Sequence, residues 1–180
     1  GLSLEEIGNR EGREHPPQPQ TLVRLGPSSS ESGAVCVIIW TVDAKKLRGS
    51  DKVAVSPPFE LDNTPGRFKM MLVPKPVSDR KGGACFKKAK GKGFIQLKCE
   101  AGLGTAASCA VRLNVSVGTG RPDSVWQSPI KEPVYHNFEE CGVCQLPPRQ
   151  EDEWNFTRAV DEPSQTFAVR LEFMPNEQSA

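Results

Sequence analysis

The segment CAVRLNVSV constrains this chain more than any other feature. Its apolar positions Cys109, Val111, Leu113, Val115 and Val117 alternate with Arg112, Asn114 and Ser116. A period of two puts the first set on one face of an extended strand and the second on the other, which is the pattern of a half-buried strand. QTFAVRLEF repeats it, with Phe167, Val169, Leu171 and Phe173 inward and Arg170 and Glu172 outward. GFIQLKCE does the same with Ile95, Leu97 and Cys99, and GRFKMMLVPK with Phe68, Met70 and Leu72. AVCVIIWTV is instead continuously apolar, as a strand buried on both faces would be, and Trp40 at its end is expected in the core.

No long segment carries the helical period, so helical crossovers for a parallel sheet are lacking. Pro57 and Pro58 in SPPFEL should break or bulge an edge strand. The 16 Gly and 16 Pro lie mostly between apolar runs, where turns belong. The fold expected is all-β, an antiparallel sandwich of seven to eight strands over residues 33–175. Residues 1–32 are rich in Pro, Gln and Ser and read as a flexible N-terminal segment. Within it, Leu22, Val23 and Leu25 are apolar enough to pair with a sheet edge. Residues 176–180 read as a flexible tail.

With 180 residues, one domain with a real core is expected. The 23 basic and 22 acidic side chains leave a formal charge of +1, so any contact with nucleic acid or an anionic membrane must come from a local patch. No stretch nears the roughly 20 apolar residues of a membrane span. Without a signal-peptide pattern at the start, the expected location is cytoplasmic, with six reduced thiols. The sequons at Asn114 and Asn155 are then chance matches.

The strand order resembles the MATH domain, the TRAF-like sandwich. The resemblance rests on the run ending in Trp40, SPPFEL, RFKMMLVPK, GFIQLKCE, CAVRLNVSV, HNF paired with EWNF, and the closing TFAVRLEF. It spans residues 34–174, with Asn155 where that family has Gly, and with a longer, more basic loop over 74–93. It implies a module that binds short extended peptides on one sheet face, as an adaptor or substrate-recognition domain. Trp154 and Phe156 match the aromatic pair of the family's groove, and Lys98, Arg112 and His136 fall near its other positions. Such a groove would favour acidic or phosphorylated ligands.

Two further groups of residues suggest chemistry. Cys141 and Cys144 form a single CxxC, with His136 five residues earlier, and three such ligands can hold zinc if a fourth arrives through space. The plainer reading is ordinary thiols in a turn, with no cofactor. The loop RKGGACFKKAKGKG carries Arg80, Lys81, Lys87, Lys88, Lys90 and Lys92, with Phe86 among them. It is either a solvated loop or an anion contact, with Phe86 able to stack on a base. A zinc-stabilised module touching nucleic acid is thus the alternative function, although nucleic acid is not the expected partner. Catalysis has no constellation behind it: His136 is the sole folded candidate base, and Ser56, Ser108 and Ser128 lack a nucleophile setting.

Overall fold

In a computed structural model, residues 17–27, 33–50, 52–62, 64–77, 84–100, 109–149 and 152–175 are described. They form two antiparallel sheets packed face to face, with no α-helix among the described residues. The strands are β1 (Leu22–Leu25), β2 (Cys36–Asp43), β3 (Ala54–Val55), β4 (Phe59–Leu61), β5 (Thr64–Pro74) and β6 (Lys92–Glu100), followed by β7 (Ala110–Gly118), β8 (Val134–Asn137), β9 (Val143–Leu146), β10 (Trp154–Asn155) and β11 (Thr166–Phe173). The first sheet runs β1-β2-β11-β7-β8. In the second, β10-β6-β5-β3, β9 also pairs with β6 and β4 with β5. Eleven strands exceed the seven or eight expected because β3, β4 and β10 are pieces of two or three residues, too short to leave a periodic signal.

The registers show why the alternating sequences fold this way. Trp40 lies opposite Val169, Ile38 opposite Leu171 and Val42 opposite Phe167. Val169, Leu171 and Phe173 in turn face Val117, Val115 and Leu113. In the second sheet Phe68, Met70 and Leu72 oppose Cys99, Leu97 and Ile95. Cross-strand partners share a face, so each register sends one apolar row inward. The two rows meet in a single core in which Trp40, Phe68, Leu72, Leu97 and Leu171 are fully buried.

Prolines explain the break in the second sheet. Pro57 and Pro58 have no N–H to give a ladder, and β3 and β4 are separate strands on either side of them. Ser56 covers the gap: its Oγ accepts from the Met70 N–H at 2.8 Å and donates to the Pro57 carbonyl at 2.8 Å.

β1 lies within the 1–32 segment and pairs with β2 from Leu22↔Trp40 to Leu25↔Val37. Side chains then tie this edge to the opposite sheet. The Gln20 amide donates to the Val55 carbonyl, and Arg24 donates to the Glu60 carbonyl and pairs with Asp62 at 2.7 Å. The Trp40 indole N–H donates to Gln20 Oε1 at 3.1 Å.

β11 is buried on both faces because the segment after β7 folds back over it. Gln127 bridges to Val117, a Cβ on Gly120 would lie 3.1 Å from that of Ala168, and the Arg170 guanidinium lies 4.4 Å over the Trp126 ring. Trp126, which sits in a turn-rich stretch, is therefore half-buried against the sheet rather than free.

Candidate functional site

The two aromatics expected in a groove are core residues. Trp154 is 4% exposed and Phe156 is 0% exposed. Their rings stack at 6.2 Å, Phe156 stacks on Phe167 at 5.8 Å, and the Trp154 indole donates to the Leu146 carbonyl at 3.1 Å. The reason is register: β10 pairs Trp154 with Gly93 on β6, which places the aromatic on the sheet's inner face. Although Glu151, Asp152 and Glu153 precede Trp154 in sequence, strand pairing turns the ring inward.

The polar members are scattered. Lys98 follows the inward Leu97 on β6 and so points outward from the six-stranded sheet. Arg112 precedes the inward Leu113 on β7 and points outward from the other sheet. The two lie on opposite outer faces of the sandwich, and no single groove holds both. His136 is opposite Val111. Its ring lies edge-on to Phe138 at 4.6 Å, and its Nε2 is hydrogen-bonded to the Cys141 carbonyl at 2.8 Å. The case for an acidic or phosphorylated ligand needed these cations together, and at that groove they are apart.

The same geometry bears on zinc. Cys144 sits on β9 opposite Leu97 and is 1% exposed. Burial first, and the neighbouring Cys141 second, push its thiol up to about 12. The thiolate is the form that binds metal, so this thiol would have to lose its proton on coordination. Cys141 is exposed, its Sγ donating to the Val143 carbonyl at 3.3 Å. No three His, Cys, Asp or Glu side chains stand together as metal ligands among the described residues. None of the six cysteines is in a disulfide.

In the basic loop, Arg80 and Lys81 lie outside the described residues. Phe86 is fully buried, so it cannot stack on a base. Lys87, Lys88 and Lys90 are exposed, while Lys92 is half-buried and lies 3.9 Å from Glu153, which Lys75 pairs at 2.6 Å.

What the structure does offer is an edge. β8 has β7 on one side and no strand on the other among the described residues. Beside it lies a cleft of about 570 Å³ whose walls include Pro129, Ile130, Pro133, Pro147 and Pro148, with Tyr135 at its rim. Tyr135 is 65% exposed, and the Arg112 guanidinium lies 5.6 Å over its ring. Lys131, Glu132, Arg149 and Asp152 add charges of both signs. The other edges are less open: β1 is strapped to the second sheet, β3 has two residues and runs into Pro57, and β9 runs into Pro147 and Pro148. Sequence reasoning missed this site, because Tyr135 and four of the prolines come from two separated segments. The one local signal was a lone tyrosine in a short strand flanked by proline.

No helix among the described residues is long and apolar enough to cross a membrane. Compared with known proteins, the chain matches no protein-family model and no curated protein.

Proposed function

We propose that this chain is a peptide-recognition module of the MATH, TRAF-like, type, which takes an extended segment of a partner protein along β8. The observation that carries the reading is the unpaired β8 edge flanked by the proline-lined cleft and Tyr135. A free strand edge offers main-chain hydrogen bonds to any extended peptide, and adjacent pockets for alternate side chains supply selectivity. An amphipathic ring that is two-thirds exposed is the kind of anchor on which peptide interfaces depend.

The family reading is supported by where its motif segments fall. GFIQLKCE is β6, paired on both sides in the second sheet, CAVRLNVSV is β7, between β11 and the edge strand β8, and TFAVRLEF is β11, the middle strand that joins β2 to β7. The chain acts as an adaptor or recognition domain and not as an enzyme on this reading, with the cleft's mixed charges selecting the partner.

The test is peptide selection on the folded domain followed by two single variants. A selected peptide should lose about tenfold or more in affinity with Tyr135→Ala, an effect typical of an interface anchor. Val125→Ala, which removes a side chain 75% exposed and outside the cleft, should leave affinity unchanged. Failure to select any peptide, or equal affinity for the Tyr135→Ala protein, defeats the β8 assignment.

A further inference from the structure

Three chain segments far apart in sequence meet at one end of the sandwich, and each brings only positive charge. The first is the 3-10 turn Ala44–Leu47 with Arg48 after it. Ala44 and Leu47 are buried, so Lys45 is left exposed, and Arg48 is exposed beyond it. The second is the turn over residues 85–91, where Cys85, Phe86 and Ala89 point inward and Lys87, Lys88 and Lys90 point to solvent. The third is the 3-10 turn Phe156–Ala159, with Phe156 buried and Arg158 exposed.

Backbone hydrogen bonds hold these segments together. The Lys87 N–H donates to the Gly49 carbonyl at 3.1 Å, and the Phe156 N–H to the Gly91 carbonyl at 3.0 Å. Thr157 Oγ1 donates to the Lys90 carbonyl at 3.5 Å. Gly91 permits that approach, since it has φ +75° and a Cβ there would fall 2.0 Å from Thr157 Oγ1. The basic side chains therefore project from a joined surface and not from one floppy loop.

The segments 44–48, 85–92 and 156–159 contain no Asp or Glu. Three carboxylates near these segments in sequence have partners of their own among the described residues. Asp43 caps the first 3-10 turn by accepting from the Lys45 N–H, Glu153 faces Lys75 and Lys92, and Glu162 accepts from the Gln165 amide. Lys45, Lys87, Lys88, Lys90 and Arg158 make no ion pair among the described residues. Arg48 donates to the neutral Gln165 side chain. In a chain of net charge +1, gathering six exposed cations on segments that themselves hold no carboxylate costs energy unless something anionic meets them.

We infer that this end of the sandwich binds the phosphate backbone of a nucleic acid duplex, independently of base sequence. The side chains decide the class. Four of the six cations are lysines, flexible point charges suited to many spaced phosphates, whereas a single phosphorylated residue calls for a bidentate arginine clamp. Phe86 is turned into the core, which removes the stacking platform that single strands use. Among the described residues, the large exposed apolar side chains (Val23, Val35, Val53, Val55, Val77, Val125 and Tyr135) all lie outside the three segments, so these segments offer no apolar tip to a bilayer. The site shares no residue with the β8 cleft, so either proposal can fail alone.

The experiment measures binding of the full chain to a fluorescent DNA duplex of about 20 base pairs across a salt series. Phosphate contacts give a steep log–log salt dependence, with about 0.9 of slope per contact. The triple variant Lys87→Gln/Lys88→Gln/Lys90→Gln should bind at least about tenfold more weakly at about 0.1 M salt, with the slope reduced by about 2 to 3. Arg158→Gln, from a different segment, should weaken binding as well, and Lys131→Gln at the β8 cleft should not. All of these side chains are exposed, so thermal melting should stay near that of the parent protein. The inference is overturned by no duplex binding at low salt, by equal loss with Lys131→Gln, or by an Arg158→Gln protein that binds as the parent does. Binding confined to phosphatidylserine vesicles or to a polyglutamate peptide overturns it too, in favour of those partners.

Discussion

Trp154 and Phe156 show how a side chain's role depends on what its strand pairs with. Both lie in a polar stretch, EDEWNF, yet stack in the core with Phe167. Truncating a buried aromatic removes its transfer energy and leaves a cavity. Trp154→Ala and Phe156→Ala should each destabilise the fold by about 3–5 kcal/mol, read by urea denaturation. Trp154→Ala should cost part of this through the Leu146 carbonyl, left without its donor. Peptide affinity per folded molecule should be unchanged by either substitution. A variant that stays as stable as the parent but loses peptide binding would return these residues to a groove.

At the scale of elements, the turns are held by specific polar contacts. Asp161 follows the second 3-10 turn and receives Arg121 Nε and Nη2, each at 2.8 Å, from the loop after β7. The Ser164 hydroxyl and N–H also donate to it. The Arg121 hydrogen bonds first, and the Ser164 bonds after them, hold its carboxyl down to about 2 against the opposing effect of burial. The folded-state value lies below the ordinary 3.8, so the charged form stabilises the fold at neutral pH. That contribution is full above pH ~4 and is lost as pH falls toward ~2. Asp161→Asn should therefore lower stability at pH 7 by about 1–2 kcal/mol and flatten the loss between pH ~4 and ~2. Acid titration of the melting temperature for both proteins checks it; parallel curves would mean that the pair adds nothing.

For the molecule as a whole, the distribution of thiols reports the sandwich. Cys36, Cys85, Cys109 and Cys144 are buried, Cys99 is half-buried and Cys141 is exposed. In the folded protein iodoacetamide should modify Cys141 at least about tenfold faster than Cys144, whose thiol is both covered and pushed up by burial. Peptide mass spectrometry gives the site-by-site rates, and equal rates at the two positions would place Cys144 outside the core. The strands that carry the core were legible in sequence because alternation is a local property: a residue two positions along a strand lies on the same face wherever that strand goes. CAVRLNVSV, TFAVRLEF and GFIQLKCE therefore announced β7, β11 and β6, and the proline pair announced the gap between β3 and β4. The candidate sites were far less legible. Alternation says that Lys98 and Arg112 both point outward, but not that their strands belong to opposite sheets. It cannot say that β8 is left at an edge, or that Pro147 and Pro148 come to stand beside Tyr135. The lysine loop was visible as charge, yet its union with Lys45 and Arg158 depends on hydrogen bonds to Gly49 and Gly91. The sequence by itself determined which residues share a face and that the chain folds as an antiparallel sandwich. Only the tertiary structure decided which faces meet, which edge stays open and which charges collect, because those depend on pairing between segments far apart in the chain.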